Sequence, residues 1–155
     1  MDDVLHHWTG LGYYARARNL HRAAQTIEQQ HAGLMPRTQE QLEALPGIGR
    51  STAGAIRALA MNQHASILDG NVKRVLARFH GISGYPGETK VAKALWQVAE
   101  AHTPKQQTAI YTQGIMDLGA TLCVRRQPNC TECPMHSRCE APVSYTHLTL
   151  PTTDR

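Results

Sequence analysis

Four cysteines, all that the chain contains, fall within 17 consecutive positions near its C-terminus. Their spacing is Cys123-x6-Cys130-x2-Cys133-x5-Cys139. The chain begins with the acidic sequence MDDV, which lacks the basic start of a signal peptide, so we expect a cytosolic protein in which disulfides are rare. Four thiols this close together then indicate a metal site. Ligand type alone leaves two occupants open, a [4Fe–4S] cluster or a tetrahedral zinc ion.

Helical periodicity is the main pattern in the rest of the chain. Helices are predicted over 2–8, 14–31, a short segment after Thr38, 50–61, 71–79, 89–100 and a segment that begins near Pro104 and ends near Leu118. No run alternates long enough to predict a strand, so the sequence predicts an all-α fold. No apolar run approaches the roughly 18 residues that span a bilayer, and we expect no membrane association.

Three further patterns can be checked against a structure. The apolar positions of the segment 14–31 are Ala17, Leu20, Ala24 and Ile27. In the segment 71–79, the side opposite the apolar residues carries Lys73, Arg74 and Arg78. The nine histidines show no ligand spacing, and we assign them no metal role. The formal charge of +4 permits a polyanionic partner without requiring one.

A glycine-rich turn and an aspartate precede two of the predicted helices. The turn is Leu45-Pro46-Gly47-Ile48-Gly49-Arg50-Ser51, and its glycines allow a tight hairpin with a backbone that a phosphate can approach. A plain connection between two helices is the alternative. Asp69 stands just before the helix at 71–79, where an ordinary N-cap is the simplest interpretation.

Together, the cysteine spacing, the hairpin and the Asp69 segment resemble the endonuclease III/MutY superfamily of DNA glycosylases. The resemblance runs from about Asp2 to about Ala141 and implies an all-α helix–hairpin–helix DNA glycosylase domain with a C-terminal [4Fe–4S] cluster loop. It implies a partial glycosylase domain over 2–122 with its hairpin at 45–61, and a cluster loop over 123–139. Its implied metal ligands are Cys123, Cys130, Cys133 and Cys139.

The same resemblance implies roles for several other residues. Asp69 matches the catalytic aspartate, whose carboxylate stabilises positive charge on the sugar as the glycosidic bond breaks. The implied DNA contacts are Tyr13, which would wedge into the base stack, and the hairpin residues Gly47, Gly49, Arg50 and Ser51. Arg125, Arg126 and Arg138 lie among the cysteines and could contact phosphate, although a solvated loop is the alternative.

Ser51 favours one branch of the superfamily. A lysine nucleophile occupies its position in the lyase branch, and serine cannot form the imine that strand cleavage requires. We therefore expect a monofunctional glycosylase in base excision repair, acting on double-stranded DNA with adenine opposite guanine or 8-oxoguanine. The alternatives are an endonuclease III-like glycosylase/lyase and an iron–sulfur module that binds DNA without chemistry.

Two parts of the family pattern are missing from the sequence. The family's catalytic glutamate lies in a segment before the stretch 8–16, so we expect this 155-residue chain to be inactive by itself. The family's C-terminal domain, which helps to read the oxidised guanine, is missing as well. The Thr-rich segment 144–155 is predicted to be a disordered or non-native tail. We expect a monomer in the bacterial cytoplasm, associated with the nucleoid.

Overall fold

The structure is a computed structural model that describes residues 1–143, so the predicted tail at 144–155 lies outside the described residues. The helices are α1 (Asp2–His7), α2 (Tyr14–His31), α3 (Gln39–Glu43), α4 (Arg50–Ala55), α5 (Gly70–Phe79), α6 (Thr89–His102), α7 (Thr108–Thr121) and α8 (Glu140–Val143). A π-helical turn, Ile56–Ala60, extends α4, and a 3-10 turn, His136–Arg138, precedes α8. No residue in 1–143 lies in a strand, which confirms the all-α prediction.

Helix α5 lies at the centre of the larger hydrophobic core. Its buried residues Val72, Val75 and Leu76 pack with Leu95 and Ala99 of α6, Ile115 of α7 and the segment Ile67–Leu68. Each fully buried side chain of this size contributes about 1.5–3 kcal/mol relative to an exposed one. The amphipathic pattern over 71–79 therefore correctly predicted which face of α5 packs in the core. Because this core holds α5, the orientation of the N-terminal end of the helix is fixed as well.

A second, smaller core holds the hairpin against α2. It consists of Ala23 of α2, Leu42 of α3, Leu45 of the turn and Ala53 of α4. Two of the predicted apolar positions of α2 do not belong to it, because Ala24 and Leu20 are exposed, Leu20 by 59%. The buried residues of α2 are Ala17, one of the predicted positions, and Ala23, which packs in this core.

Helix boundaries follow local signals in most places. The Thr38 hydroxyl accepts a hydrogen bond from the Gln41 N–H at 3.3 Å, so Thr38 caps α3, the short helix predicted to follow it. Helix α2 ends at His31, and Gly33 follows with a φ of 76°, a conformation that suits glycine. The prediction for α7 was wrong by four residues, because α7 begins at Thr108 after Gln107 in a left-handed conformation.

None of the helices in the described chain is long and apolar enough to cross a membrane.

Candidate functional site

Asp69 is the N-cap of α5, as its position in the sequence predicted. Its Oδ1 accepts a hydrogen bond from the Val72 N–H at 2.7 Å, and the side chain is half-buried. An N-cap of this kind is worth about 1 kcal/mol to the helix. Because α5 is buried on both sides of its axis, the carboxylate is held on a rigid element rather than on a free loop.

The hairpin helix is fastened to the segment that leads into Asp69. The Ser51 Oγ accepts a hydrogen bond from the Leu68 N–H at 2.9 Å, a contact between residues 17 positions apart. One turn later, a Cβ at Gly54 would lie 2.2 Å from the Ser66 carbonyl oxygen, so only glycine fits there. These two close approaches hold Ser51 next to Leu68, the residue before Asp69. The sequence predicted Ser51 as a site residue but gave no sign of this partner.

The hairpin turn requires glycine at position 47 for two reasons. Gly47 has a φ of 78°, and a Cβ there would lie 2.7 Å from the Asn19 Cβ of α2. Gly49 is the N-cap of α4, has extended backbone and has open space where a Cβ would stand. The N–H groups at the start of α4 are therefore accessible to a ligand.

Arg50 makes contacts within the protein that the sequence did not predict. Its Nη2 donates to the Glu100 Oε1 at 2.6 Å, and its Cζ lies 3.7 Å from the centroid of the Trp96 ring. Both partners belong to α6. The guanidinium therefore ties the start of α4 to α6, in addition to any contact with DNA.

Tyr13 projects from a turn that glycines and a tryptophan hold in place. Gly10 and Gly12 have positive φ angles, and the Trp8 Nε1 donates to the Gly12 carbonyl oxygen at 2.9 Å. Tyr13 itself is left-handed at a φ of 47° and is 78% exposed. An exposed ring at a fixed turn is suitably placed for insertion into a base stack. The next residue, Tyr14, is exposed as well.

All four cysteines line a single cavity of about 60 Å³. Burial raises the pKa of the Cys139 thiol, and the other three thiols raise it further while a backbone hydrogen bond from Ala141 lowers it. The four thiols are thus close enough to influence one another. Among the described residues, no three His, Cys, Asp or Glu side chains converge as the ligands of one metal ion would.

Two arginines of α5 hold the backbone at the start of the cysteine loop. Arg78, only 4% exposed, donates to the carbonyl oxygens of Val124 at 2.8 Å and of Arg125 at 3.2 Å. Its Nη1 also lies 3.4 Å from the Cys123 Sγ. Arg74 donates from Nε to the Cys123 carbonyl oxygen at 2.7 Å. The polar side predicted for α5 is therefore wrong for Arg78, whose guanidinium is buried against the backbone carbonyls of the turn after α7.

The family model described as "HhH-GPD superfamily base excision DNA repair protein" matches residues 1–101. The chain therefore belongs to the HhH-GPD superfamily of base excision DNA repair proteins. This confirms the superfamily and the helix–hairpin–helix fold that the sequence motifs implied.

Within the superfamily, the similar curated proteins include several adenine DNA glycosylases. The chain is 48% identical over 143 residues to that of Buchnera aphidicola subsp. Acyrthosiphon pisum, covering 92% of this chain and 41% of the relative. It is 42% identical over 142 residues to that of Homo sapiens, covering 91% of this chain and 26% of the relative. The chain thus spans less than half the length of these two relatives.

Solved structures agree with this assignment. A thermostable thymine-DNA glycosylase superposes with a TM-score of 0.74 at 32% identity, covering 83% of this chain and 59% of that chain. An endonuclease III in a non-covalent complex with DNA superposes with a TM-score of 0.70 at 26% identity, covering 88% and 61%.

Proposed function

We propose that this chain carries the Asp69 centre of a monofunctional adenine DNA glycosylase, which removes adenine opposite guanine or 8-oxoguanine. The observation that carries the proposal is the hydrogen bond between the Ser51 hydroxyl and the Leu68 N–H at 2.9 Å, next to Asp69. A side chain that could form an imine with the sugar would have to occupy this position, and serine cannot do so. The names of the relatives support adenine as the excised base.

Asp69 has the chemistry that hydrolysis of an N-glycosidic bond needs. As the bond between the sugar C1′ and the adenine N9 breaks, the bonding electrons leave with the base and positive charge develops on the sugar. A carboxylate held by the Val72 N–H can stabilise that charge without moving. Water then adds hydroxide to C1′, and its remaining proton returns to solvent, while the departing adenine must receive a proton from an acid. In the MutY-like branch that acid is a glutamate in a segment before the stretch 8–16, so we expect this chain alone to release adenine only near the background rate.

Double-stranded DNA is the partner that the superfamily implies, and the accessible surfaces of the hairpin and Tyr13 support specific contacts. The hairpin residues Gly47, Gly49, Arg50 and Ser51 would bind a phosphate at the start of α4, whereas the Ile48 N–H already donates to the Leu45 carbonyl. The exposed Tyr13 ring would fill the space left by a flipped adenine. We propose DNA contacts for the hairpin residues that the resemblance implied, namely Gly47, Gly49, Arg50 and Ser51. We further propose a monomeric protein of the bacterial cytoplasm that works at the nucleoid.

We also propose that Cys123, Cys130, Cys133 and Cys139 hold a [4Fe–4S] cluster. Four thiols around one apolar-walled cavity suit a cluster that takes one thiolate per iron. The buried Arg78, whose Nη1 approaches the Cys123 Sγ, would offset part of the negative charge of the thiolates. When bound, the cluster would contribute structure and redox chemistry rather than a step of base excision, by shaping the loop that carries Arg125 and Arg126. Four thiolates could instead hold zinc.

Metal analysis of anaerobically purified chain distinguishes the two occupants. The cluster predicts about four iron and four sulfide per chain, with loss of both on Cys133→Ser. Zinc at one equivalent without iron would contradict the cluster. Thr26→Ala on α2, outside the cysteine loop, is the control and should keep the metal content of the unaltered chain.

The excision activity is best tested by transplantation. The matched segment of the Buchnera adenine DNA glycosylase is replaced by this chain's residues, and adenine release from a duplex with an A·8-oxoguanine pair is measured under single-turnover conditions. We expect activity in the chimera, and a loss of about 10²–10³-fold on Asp69→Asn. A chimera that folds, binds the duplex and releases no adenine would contradict the proposal.

Borohydride trapping on duplex DNA with an abasic site tests the monofunctional branch. Since Ser51 cannot form an imine, the unaltered chimera should give no covalent product, whereas Ser51→Lys should gain one. Efficient trapping with Ser51 in place would favour the endonuclease III-like lyase. Trapping that Ser51→Lys fails to increase would show that position 51 does not reach the sugar.

A further inference from the structure

Two histidine rings meet at the C-terminal ends of α5 and α6. His80 directly follows α5 and His102 is the last residue of α6, and their Nε2 atoms lie 2.7 Å apart. The ring centroids are 4.9 Å apart, and Phe79 packs edge-on against both rings at 5.0 and 5.9 Å. Both histidines are exposed, and the 2.7 Å contact is a hydrogen bond in which one Nε2–H donates to the other Nε2, so a metal ion bound by both nitrogens would displace that shared proton.

Negative charge lies close to this histidine pair, while partial burial favours the neutral form of His80. The carboxyl ends of two helices carry partial negative charge, and both rings lie at such an end. Glu140 of α8 is close by, because its Cβ lies 3.4 Å from the position of a Cβ on Gly81. Partial burial lowers the pKa of His80, His102 lowers it further, and Glu140 raises it. Neutral imidazole is the form that binds metals.

We propose that His80 and His102 form a bidentate site for a divalent transition-metal ion of the Ni²⁺ or Cu²⁺ type. Nitrogen–metal distances of about 2.0–2.1 Å, with nitrogens 2.7 Å apart, give an angle of roughly 80° at the ion. That angle is close to the 90° of neighbouring ligands in octahedral or square-planar sites. It is far from the roughly 109° of tetrahedral zinc.

Only two protein ligands are present, so water completes the coordination and Glu140 adds charge rather than a required ligand. This agrees with the absence of a three-ligand group among residues 1–143. The ligand atoms of this site are histidine nitrogens, so it shares no ligand with the four cysteines. The sequence gave no hint of it, because His80 and His102 are 22 positions apart and meet only through the packing of α5 on α6.

Nickel chloride titrated into the purified chain tests the site, with the ring-proton NMR signals of each histidine followed separately. Cysteines also bind nickel, and reading individual histidine signals removes their contribution. We expect the His80 and His102 signals to broaden first, and His102→Val to weaken the response of His80 at least about tenfold because one nitrogen ligand is lost. His80→Gln should weaken the response of His102 equally.

The matched control removes the other neighbouring histidines, His6→Gln with His7→Gln, whose ring centroids are 5.7 Å apart. This control should leave the response of His80 and His102 unchanged. The proposal is overturned if their signals do not respond to nickel, or if His102→Val leaves the response of His80 intact in a chain whose thermal unfolding is unchanged. Zinc that binds this pair more tightly than nickel would overturn the assigned geometry.

Discussion

The hairpin and the cysteine loop are held to the same core in different ways. On the hairpin side, α4 lies close to the segment before Asp69. The Ser51 hydroxyl bonds to that segment, and Gly54, which has no side chain, allows the two backbones to approach closely. On the loop side, long charged side chains of α5, Arg74 and Arg78, reach the backbone from Cys123 to Arg125. The first region is set by close packing of small residues, whereas the second depends on charged donors satisfying carbonyls that no helix pairs.

This difference predicts how each region fails. Close packing tolerates no added atoms, so even one methyl group disturbs it. The loop tolerates changes of shape but not the loss of its donors, because buried carbonyls without partners are costly.

Replacing Arg78 by Met should have the largest effect. The change removes hydrogen bonds to the Val124 and Arg125 carbonyls in a buried site, and we expect a loss of about 2–4 kcal/mol in the free energy of unfolding. Urea denaturation measures it. Lys73→Met, on the same helix, is the control and should change stability by less than about 0.5 kcal/mol. A loss under 1 kcal/mol for Arg78→Met would mean that water replaces the guanidinium.

Gly54→Ala probes the packed side. The added methyl group would lie 2.2 Å from a backbone oxygen, so α4 must shift, and we expect a loss of about 1–3 kcal/mol in thermal or urea unfolding. Gly114→Ala in α7 meets no atom within 4 Å and should stabilise the chain by up to about 1 kcal/mol. Equal effects of the two substitutions would show that helix propensity, rather than close approach, determines the result.

Ser51→Ala leaves the half-buried Leu68 N–H without its acceptor. We expect a loss of about 1 kcal/mol in the free energy of unfolding and faster hydrogen exchange of the Leu68 amide. Thr26→Ala removes an exposed hydroxyl that bonds within its own helix, and it should change neither quantity measurably. An unchanged Leu68 amide in Ser51→Ala would remove the link between the hairpin and the Asp69 segment.

The smallest expected effect is the pH dependence from His80. Its pKa is lower in the folded chain than the ordinary 6.5, so the unfolded chain binds a proton first as the pH falls. The contribution of His80 is therefore complete above pH 6.5 and declines as the pH falls through that value toward the folded pKa. Unfolding curves from pH 8 to pH 5 should show a shallower decline in His80→Gln than in the unaltered chain. Parallel curves would exclude this role.

Features set by neighbouring residues were predictable from the sequence. The caps at Thr38 and Asp69 depend on hydrogen bonds to residues three positions along the chain. The end of α2 depends on the positive φ of Gly33. The superfamily could be identified because hairpin, aspartate and cysteine spacing are all local patterns. The start of α7 was misplaced because the favourable position of Pro104 in a first helical turn did not decide the boundary.

Features that join distant parts of the chain could not be predicted in the same way. The bond of Ser51 to Leu68, the burial of Arg78 and the meeting of His80 with His102 depend on how helices pack. Arg78 is the clearest case. An arginine on a helix is usually solvated, and nothing in its neighbours indicates that carbonyls 45–47 positions away require its donors.

The pairing of Arg50 with Glu100 bears on how DNA binding would respond to ionic strength. An unpaired cation that meets a phosphate releases about one condensed counterion, which makes affinity fall steeply with salt. Arg50 brings a carboxylate with it, since its guanidinium already donates to Glu100 at 2.6 Å. The net charge delivered at the start of α4 is then close to zero. Phosphate held there by uncharged backbone N–H groups would resist salt, and the steep part of the salt dependence would come from cations elsewhere on the surface.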